Sequence, residues 1–218
     1  MKGIFITFEG PDGSGKTTQI RLFSKYLEEK GYPVVQTREP GGTRISERIR
    51  AIILDPDNKE MDDMTEALLY AAGRAQHVAQ LIKPAVEEGK IVLSDRFMDS
   101  SIAYQGYGRD LGDKIRIINE YAVAGIHPDL TFFLDLSAEE GIARAEHRQK
   151  LDRLEQESIA FHKRVYEGYL ELSKIYEDRY VIIDASRSIE EISQDIIAKF
   201  EEFISNREDA KREDSSSN

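Results

Sequence analysis

Residues Gly10-Pro11-Asp12-Gly13-Ser14-Gly15-Lys16-Thr17 follow the spacing G-x-x-x-x-G-K-[ST]. Glycines at these places let successive backbone amides converge on phosphate oxygens. A helix starting at the end of such a loop adds the positive end of its dipole. Lys16 has the reach for β- and γ-phosphates, and the hydroxyl of Thr17 suits Mg²⁺. Gly10, Pro11, Asp12, Gly13, Ser14, Gly15, Lys16, Thr17 and Thr18 are therefore the candidate contacts for a nucleoside triphosphate, expected to be ATP with Mg²⁺ as cofactor. A second feature is Asp95, which closes the apolar run Ile91–Ser94. It either orients Mg²⁺ and its water shell, with Thr17 as the other metal-side group, or pairs with a neighbouring arginine.

These residues need a scaffold, and the flanking pattern supplies one. Gly3–Glu9 is a short apolar run rich in strand formers, and Ile20, Leu22, Phe23, Tyr26 and Leu27 recur at helical spacing behind the loop. Further strands are expected at Pro33–Thr37, Ile91–Asp95, Leu130–Asp135 and Tyr180–Asp184. Helical patterns fall at Ile45–Leu54, Met64–Glu88, Ile115–Ala124, Ala138–Glu146, Leu154–Tyr176 and Ile189–Ile204. Strands alternating with helices predict an α/β fold, a doubly wound five-stranded parallel sheet with helices on both faces.

The chain of 218 residues suits one domain, expected over residues 1–205. Its net charge of −11 argues against nucleic-acid or anionic-membrane partners. The absence of cysteine excludes disulfides, thiolate zinc sites and cysteine nucleophiles. No run is apolar enough for a membrane span, so a cytoplasmic protein is expected. Guanine-specific GTPases carry an N-K-x-D base reader; Asn58-Lys59-Glu60-Met61 fails at its last position. Two function classes stay open: a small-molecule phosphotransferase, and a regulatory protein that hydrolyses nucleotide to switch a partner.

Several runs together are more specific than the loop. Phe8–Gln19, Thr37-Arg38-Glu39-Pro40-Gly41-Gly42-Thr43 and Leu68-Leu69-Tyr70-Ala71-Ala72-Gly73-Arg74 are three of them. The others are Asp95-Arg96-Phe97, Ser100-Ser101-Ile102-Ala103-Tyr104-Gln105-Gly106 and Leu151-Asp152-Arg153-Leu154-Glu155. In this order, over roughly residues 3 to 204, they resemble thymidylate kinase. The resemblance implies a P-loop NTPase fold with a short lid, transfer of the γ-phosphoryl of ATP to dTMP, and a homodimer. Phosphoryl transfer needs positive charge around two mutually repelling phosphates. Arg38, Arg50 and Arg96 suit the acceptor phosphate, because arginine forks match it bidentately. Tyr70 and Arg74, four apart on one helix face, can stack on a pyrimidine and donate to its O4 carbonyl; ordinary core packing is the other reading of Tyr70. The resemblance adds Ser101, Tyr104 and Gln105 to the dTMP wall, with Tyr104 excluding a 2′-hydroxyl. It also adds Glu39, with a cis bond to Pro40. Asp12 is either a turn residue or, by resemblance, a group facing the sugar or the transferred phosphoryl.

Between two helices, Arg144, His147, Arg148, Lys150 and Arg153 crowd a lid of about residues 144–155. The loop positions Pro11, Asp12, Gly13 and Ser14 carry no cation. The chain therefore resembles the bacterial-like kind of the family, in which lid arginines, here Arg148 and Arg153, close over ATP. Lys16, Arg96, Arg148, Arg153 and Asp12 form the candidate catalytic set. Residues 206–218 have no apolar residue beyond Ala210 and are expected to be a disordered tail.

Overall fold

The computed structural model describes residues 3–145 and 152–216, and every expected strand is present. Strands β1 (Ile4–Glu9), β2 (Val34–Arg38), β3 (Ile91–Asp95), β4 (Leu130–Asp135) and β5 (Tyr180–Asp184) form one parallel sheet in the order β2-β3-β1-β4-β5. The central β1 is buried throughout, as a strand covered on both faces must be. Its side chains alternate between the two layers. Ile4, Ile6 and Phe8 pack with Phe23 and Leu27 of α1 (Lys16–Glu29) and with Ile192, Ile196 and Phe200 of α9 (Ile189–Ser216). Phe5 faces the other layer, among Val78, Ile82 and the α8 (Ile159–Ile175) residues Val165 and Tyr169. Thr7 and Glu9 follow Phe5 in the alternation, so the strand turns a carboxylate into a closed layer.

The remaining helices are α2 (Arg44–Leu54), α3 (Asp63–His77), α4 (Lys83–Glu87), α5 (Met98–Ser101), α6 (Asp113–Val123) and α7 (Ala138–Ala145). The long helical pattern 64–88 is realised as α3 and α4 joined by a π-helical turn, Val78–Ile82. A second π-helical segment, Ile102–Gly108, continues α5. The sequence pattern gave no sign of that helix. Its glycines and its burial on nearly every side hide any periodicity, and packing rather than propensity holds it. The expected helix 154–176 starts later, at Ile159. Ser158 caps it by accepting from Phe161 N, and Asp152 folds the preceding residues into a turn by accepting from Leu154 N and Glu155 N, both at 2.9 Å.

Residues 206–216, expected to be a disordered tail, continue α9 as helix. Glu, Ala, Lys and Arg are good helix formers, and a helix once nucleated extends through them at little cost. Arg207 adds an ion pair to Asp129 at 3.5 Å.

Register explains where a site must form. Phe8 of β1 and Arg38 of β2 both align with Asp95 of β3. The phosphate-binding loop, the Asp95–Arg96 turn and Arg38 thus leave the sheet side by side at the carboxyl ends of its strands, where crevices of open α/β sheets lie.

Candidate active site

A cavity of about 420 Å³ opens at those strand ends. On one wall the loop turns through Gly13 at φ +81° and Gly15 at φ +92°. At Gly13 a side chain is barred twice over, because a Cβ would lie 2.6 Å from the carbonyl oxygen of Gly141. Lys16 Nζ donates to the carbonyls of Gly10 (2.9 Å) and Pro11 (2.8 Å). Burial, then the nearby charge of Arg96, lowers its pKa to about 8. Thr17 Oγ1 donates to Asp95 Oδ2 at 2.7 Å, which brings the two expected metal-side groups together. Among the described residues no cluster of three or more His, Asp or Glu side chains could cage a metal. Two hard oxygen donors beside a phosphate cradle do fit Mg²⁺, which keeps waters and takes its other ligands from phosphates.

Arg96 sits at the centre. Its backbone is left-handed, at φ +69°, a turn clamped on three sides. Arg96 N donates to Phe8 O (3.0 Å), Ser94 Oγ donates to Arg96 O (2.7 Å), and Phe97 N donates to Glu9 Oε1 (2.8 Å). The turn aims the guanidinium between the two walls. Nη2 donates to Asp12 Oδ1 (3.0 Å) and Tyr104 OH (3.1 Å), and Nη1 to Ser100 Oγ (3.2 Å) and Tyr169 OH (3.0 Å). Tyr104 in turn donates to Asp12 Oδ2 at 3.1 Å. Burial opposes ionisation of Asp12, but Arg96 and Lys16 outweigh it and hold the carboxyl well below its usual range. Asp12 is thus more than a turn residue: it ties the loop to the arginine.

The opposite wall carries Arg38, Arg50, Tyr70, Arg74, Ser101 and Gln105. Arg38 Nη1 and Arg50 Nη1 both donate to Pro40 O, at 2.9 and 2.8 Å. Burial, then the charge of Arg38, lowers the pKa of Arg50, while Glu47, paired with Arg38 at 3.1 Å, pulls the other way. The Glu39–Pro40 bond is cis. Glu39 is buried, and its carboxylate accepts from Arg74 Nε (2.7 Å) and lies 2.9 Å from His77 Nδ1, so it braces Arg74. Arg74 also donates through Nη1 to Ser101 Oγ (3.0 Å) and Asn119 Oδ1, and through Nη2 to Phe97 O (3.0 Å). Its donors are committed to the protein, so contact with a base O4 requires exchanging one of these bonds. Gln105 is the reverse case: Nε2 donates to Glu66 Oε1 at 2.9 Å, while Oε1 is buried without a partner among the described residues.

The lid expectation divides. Arg148 lies outside the described residues. Arg153 is engaged by α2 and α3, donating through Nε to Ile53 O (2.9 Å) and through Nη2 to Glu66 Oε2 (2.5 Å). A fully buried carboxylate must be paired, and Arg153 serves here as one of the partners of Glu66 on α3. Arg144 does reach the cavity wall, with Nη1 donating to Ala185 O at 3.0 Å. The sequence reading missed Glu9, Tyr169, His77 and Glu66, which position the rest. Only Glu9 left a local signal, a carboxylate ending an apolar strand.

A cleft with backbone amides for phosphate on one side and paired arginines on the other suits movement of a phosphoryl group between two phosphates. The fold and site are those of a P-loop nucleoside monophosphate kinase. Comparison with known proteins narrows this. The family described as Thymidylate kinase matches residues 8–196. A thymidylate kinase of Lactobacillus helveticus is 53% identical over 211 residues, covering 94% of this chain and 98% of the relative. One from an Exiguobacterium species is 54% identical over 198 residues, covering 90% and 93%. The crystal structure of thymidylate kinase from Ehrlichia chaffeensis superposes with a TM-score of 0.74 at 34% identity, covering 92% of this chain and 99% of that one. The chain belongs to the thymidylate kinase family.

Proposed function

We propose that ATP lies along the Gly10–Thr18 wall and dTMP along the Arg38–Gln105 wall, and that the γ-phosphoryl passes between them to give dTDP and ADP. The observation that carries this reading is the guanidinium of Arg96, held by Asp12 of the loop and by Tyr104 and Ser100 of the opposite wall. A cation so fixed meets the acceptor phosphate and the transferred group together and needs no reorganisation as charge develops. Arg38 and Arg50, now sharing Pro40 O, exchange that carbonyl for the acceptor phosphate. Lys16 leaves the carbonyls of Gly10 and Pro11 for the triphosphate. Mg²⁺, carried by Thr17 and Asp95, supplies charge neutralisation on the phosphates when bound. Tyr70 stacks on the thymine, Gln105 Oε1 accepts from its N3–H, and Tyr104 closes the space of a 2′-hydroxyl. Arg148 is the lid donor for the transferred group.

The enzyme works in the cytoplasm as a homodimer. Exposed Leu68 on α3 with Ile117 and Tyr121 on the adjoining α6 supplies an apolar surface for a second copy. No described helix is long and apolar enough to cross a membrane. A coupled assay with ATP, Mg²⁺ and a panel of nucleoside monophosphates tests the reading. ADP production should depend on dTMP; hydrolysis independent of any monophosphate would refute it.

A further inference from the structure

The buried carboxylate of Glu66 has no place in the phosphoryl-transfer scheme, yet it is among the most heavily bonded side chains near the cleft. It is 0% exposed. Its Oε1 accepts from Gln105 Nε2 (2.9 Å), and its Oε2 from Arg109 Nη2 (3.0 Å) and Arg153 Nη2 (2.5 Å). Arg109 is steered there by two further carboxylates, Asp63 at 3.2 Å and Glu157 at 2.6 Å. Residues from α3, the π-helical segment, the turn after it and the far end of the lid thus converge on one anion.

The consequence falls on Gln105. A carboxylate only accepts, so the amide of Gln105 must turn its nitrogen to Glu66. A flipped amide would set oxygen against oxygen inside a buried, low-dielectric site. The carbonyl is therefore forced to the other end of the same planar group. There Oε1 is buried, lacks a partner among the described residues, and belongs to a side chain lining the nucleotide cavity. Uracil-type bases present an N3–H donor at their pairing edge, whereas cytosine presents a bare N3 acceptor. A locked carbonyl welcomes the first and repels the second; a locked amide nitrogen would do the opposite.

We propose that Glu66 is a positioning residue for base selection: without touching nucleotide, it fixes Gln105 as an acceptor and so commits the pocket to bases bearing N3–H. This rests on the reading that dTMP occupies that wall. The decisive variant is Glu66→Gln, which keeps shape but offers a donor as well as an acceptor, so that Gln105 can turn either way. In the folded variant, kcat/KM for dTMP should fall about 10- to 100-fold, chiefly through KM, and the dTMP:dCMP ratio should fall at least about 10-fold. Glu66→Asp, which still only accepts, should retain most of the ratio even if it loses as much thermal stability. A merely structural Glu66 would make the two variants alike. An unchanged ratio in folded Glu66→Gln overturns the proposal. Should that variant not fold, a crystal structure of the wild-type enzyme with dTMP decides. Gln105 Oε1 within hydrogen-bond distance of N3, with Nε2 still on Glu66, supports it; Nε2 released from Glu66 overturns it. A wild-type enzyme unable to use dTMP would instead defeat the functional reading itself, and this inference with it.

Discussion

Replacing Glu9 by glutamine tests whether the inward-facing end of β1 is held as an acid or as an anion. Glu9 is 0% exposed. Burial, reinforced by the charge of Asp99, raises its pKa from 4.5 to about 7, against the opposing pull of Ser100, Arg96 and the amide of Phe97. Tyr169 from α8 donates to Oε2 at 3.1 Å, and Lys16, Arg179 and Tyr180 complete the ionisable surroundings. A pKa higher in the folded state means that the native protein binds the proton more tightly than the unfolded chain. This contribution to stability is whole below pH 4.5, declines as pH rises through about 7, and is flat above that. A shift from 4.5 to about 7 corresponds to about 3 kcal/mol in full, most of which falls between pH 5 and 8. Glutamine keeps an oxygen for Phe97 N, and the hydroxyls of Ser100 and Tyr169 can rotate to accept from its nitrogen. Urea unfolding of both proteins at pH 5, 6, 7 and 8 measures the difference. Wild type minus Glu9→Gln should drop by roughly 2–3 kcal/mol across that range, while kcat at pH 6 stays within a few-fold because the Arg96 turn survives. Parallel stability curves from pH 5 to 8 would show that Glu9 is already ionised at pH 5, and the argument would fail.

Gly13→Ala should cost roughly 1–3 kcal/mol of stability and raise KM for ATP, since the new methyl meets both a positive φ and the carbonyl oxygen of Gly141; an unchanged thermal midpoint would contradict this. Arg153→Ala should lower stability by about 2 kcal/mol, with Arg109 left as partner of buried Glu66, and should spare kcat more than KM for dTMP. Collapse of kcat without loss of stability would return Arg153 to the chemistry. Arg148→Ala should do the opposite, lowering kcat by about 10³ with little change in Tm, because no cation occupies the variable positions of the phosphate-binding loop; steady-state kinetics beside a melting curve separates the two arginines.

What could be read in the sequence was what local physics determines. The phosphate-binding loop is a backbone device written in consecutive residues, and the sheet follows from apolar runs bounded by glycine and proline. Arg96 was legible for the same reason: it comes directly after a buried strand. The supporting residues were not, because each works through partners far along the chain. Glu9 meets Tyr169, Glu39 meets His77, and Glu66 meets Arg153, pairs that only the fold makes adjacent. The segment Ile102–Gly108 was hidden because a π-helical stretch buried on most sides shows neither a period of two nor one of 3.6.

Arg153 shows how a cluster of like charges in sequence can be divided by counter-charges that lie elsewhere in the chain. In sequence it is one of several cations in a polar connection, and electrostatics alone would send them all to the triphosphate. In the fold one of them is claimed by Glu66, whose burial makes an unpaired state far more costly than an open lid. That claim tethers the lid's far end to α3, beside Gln105. The same carboxylate therefore links Arg153, at the far end of the expected lid, to Gln105 of the cavity wall through two hydrogen bonds.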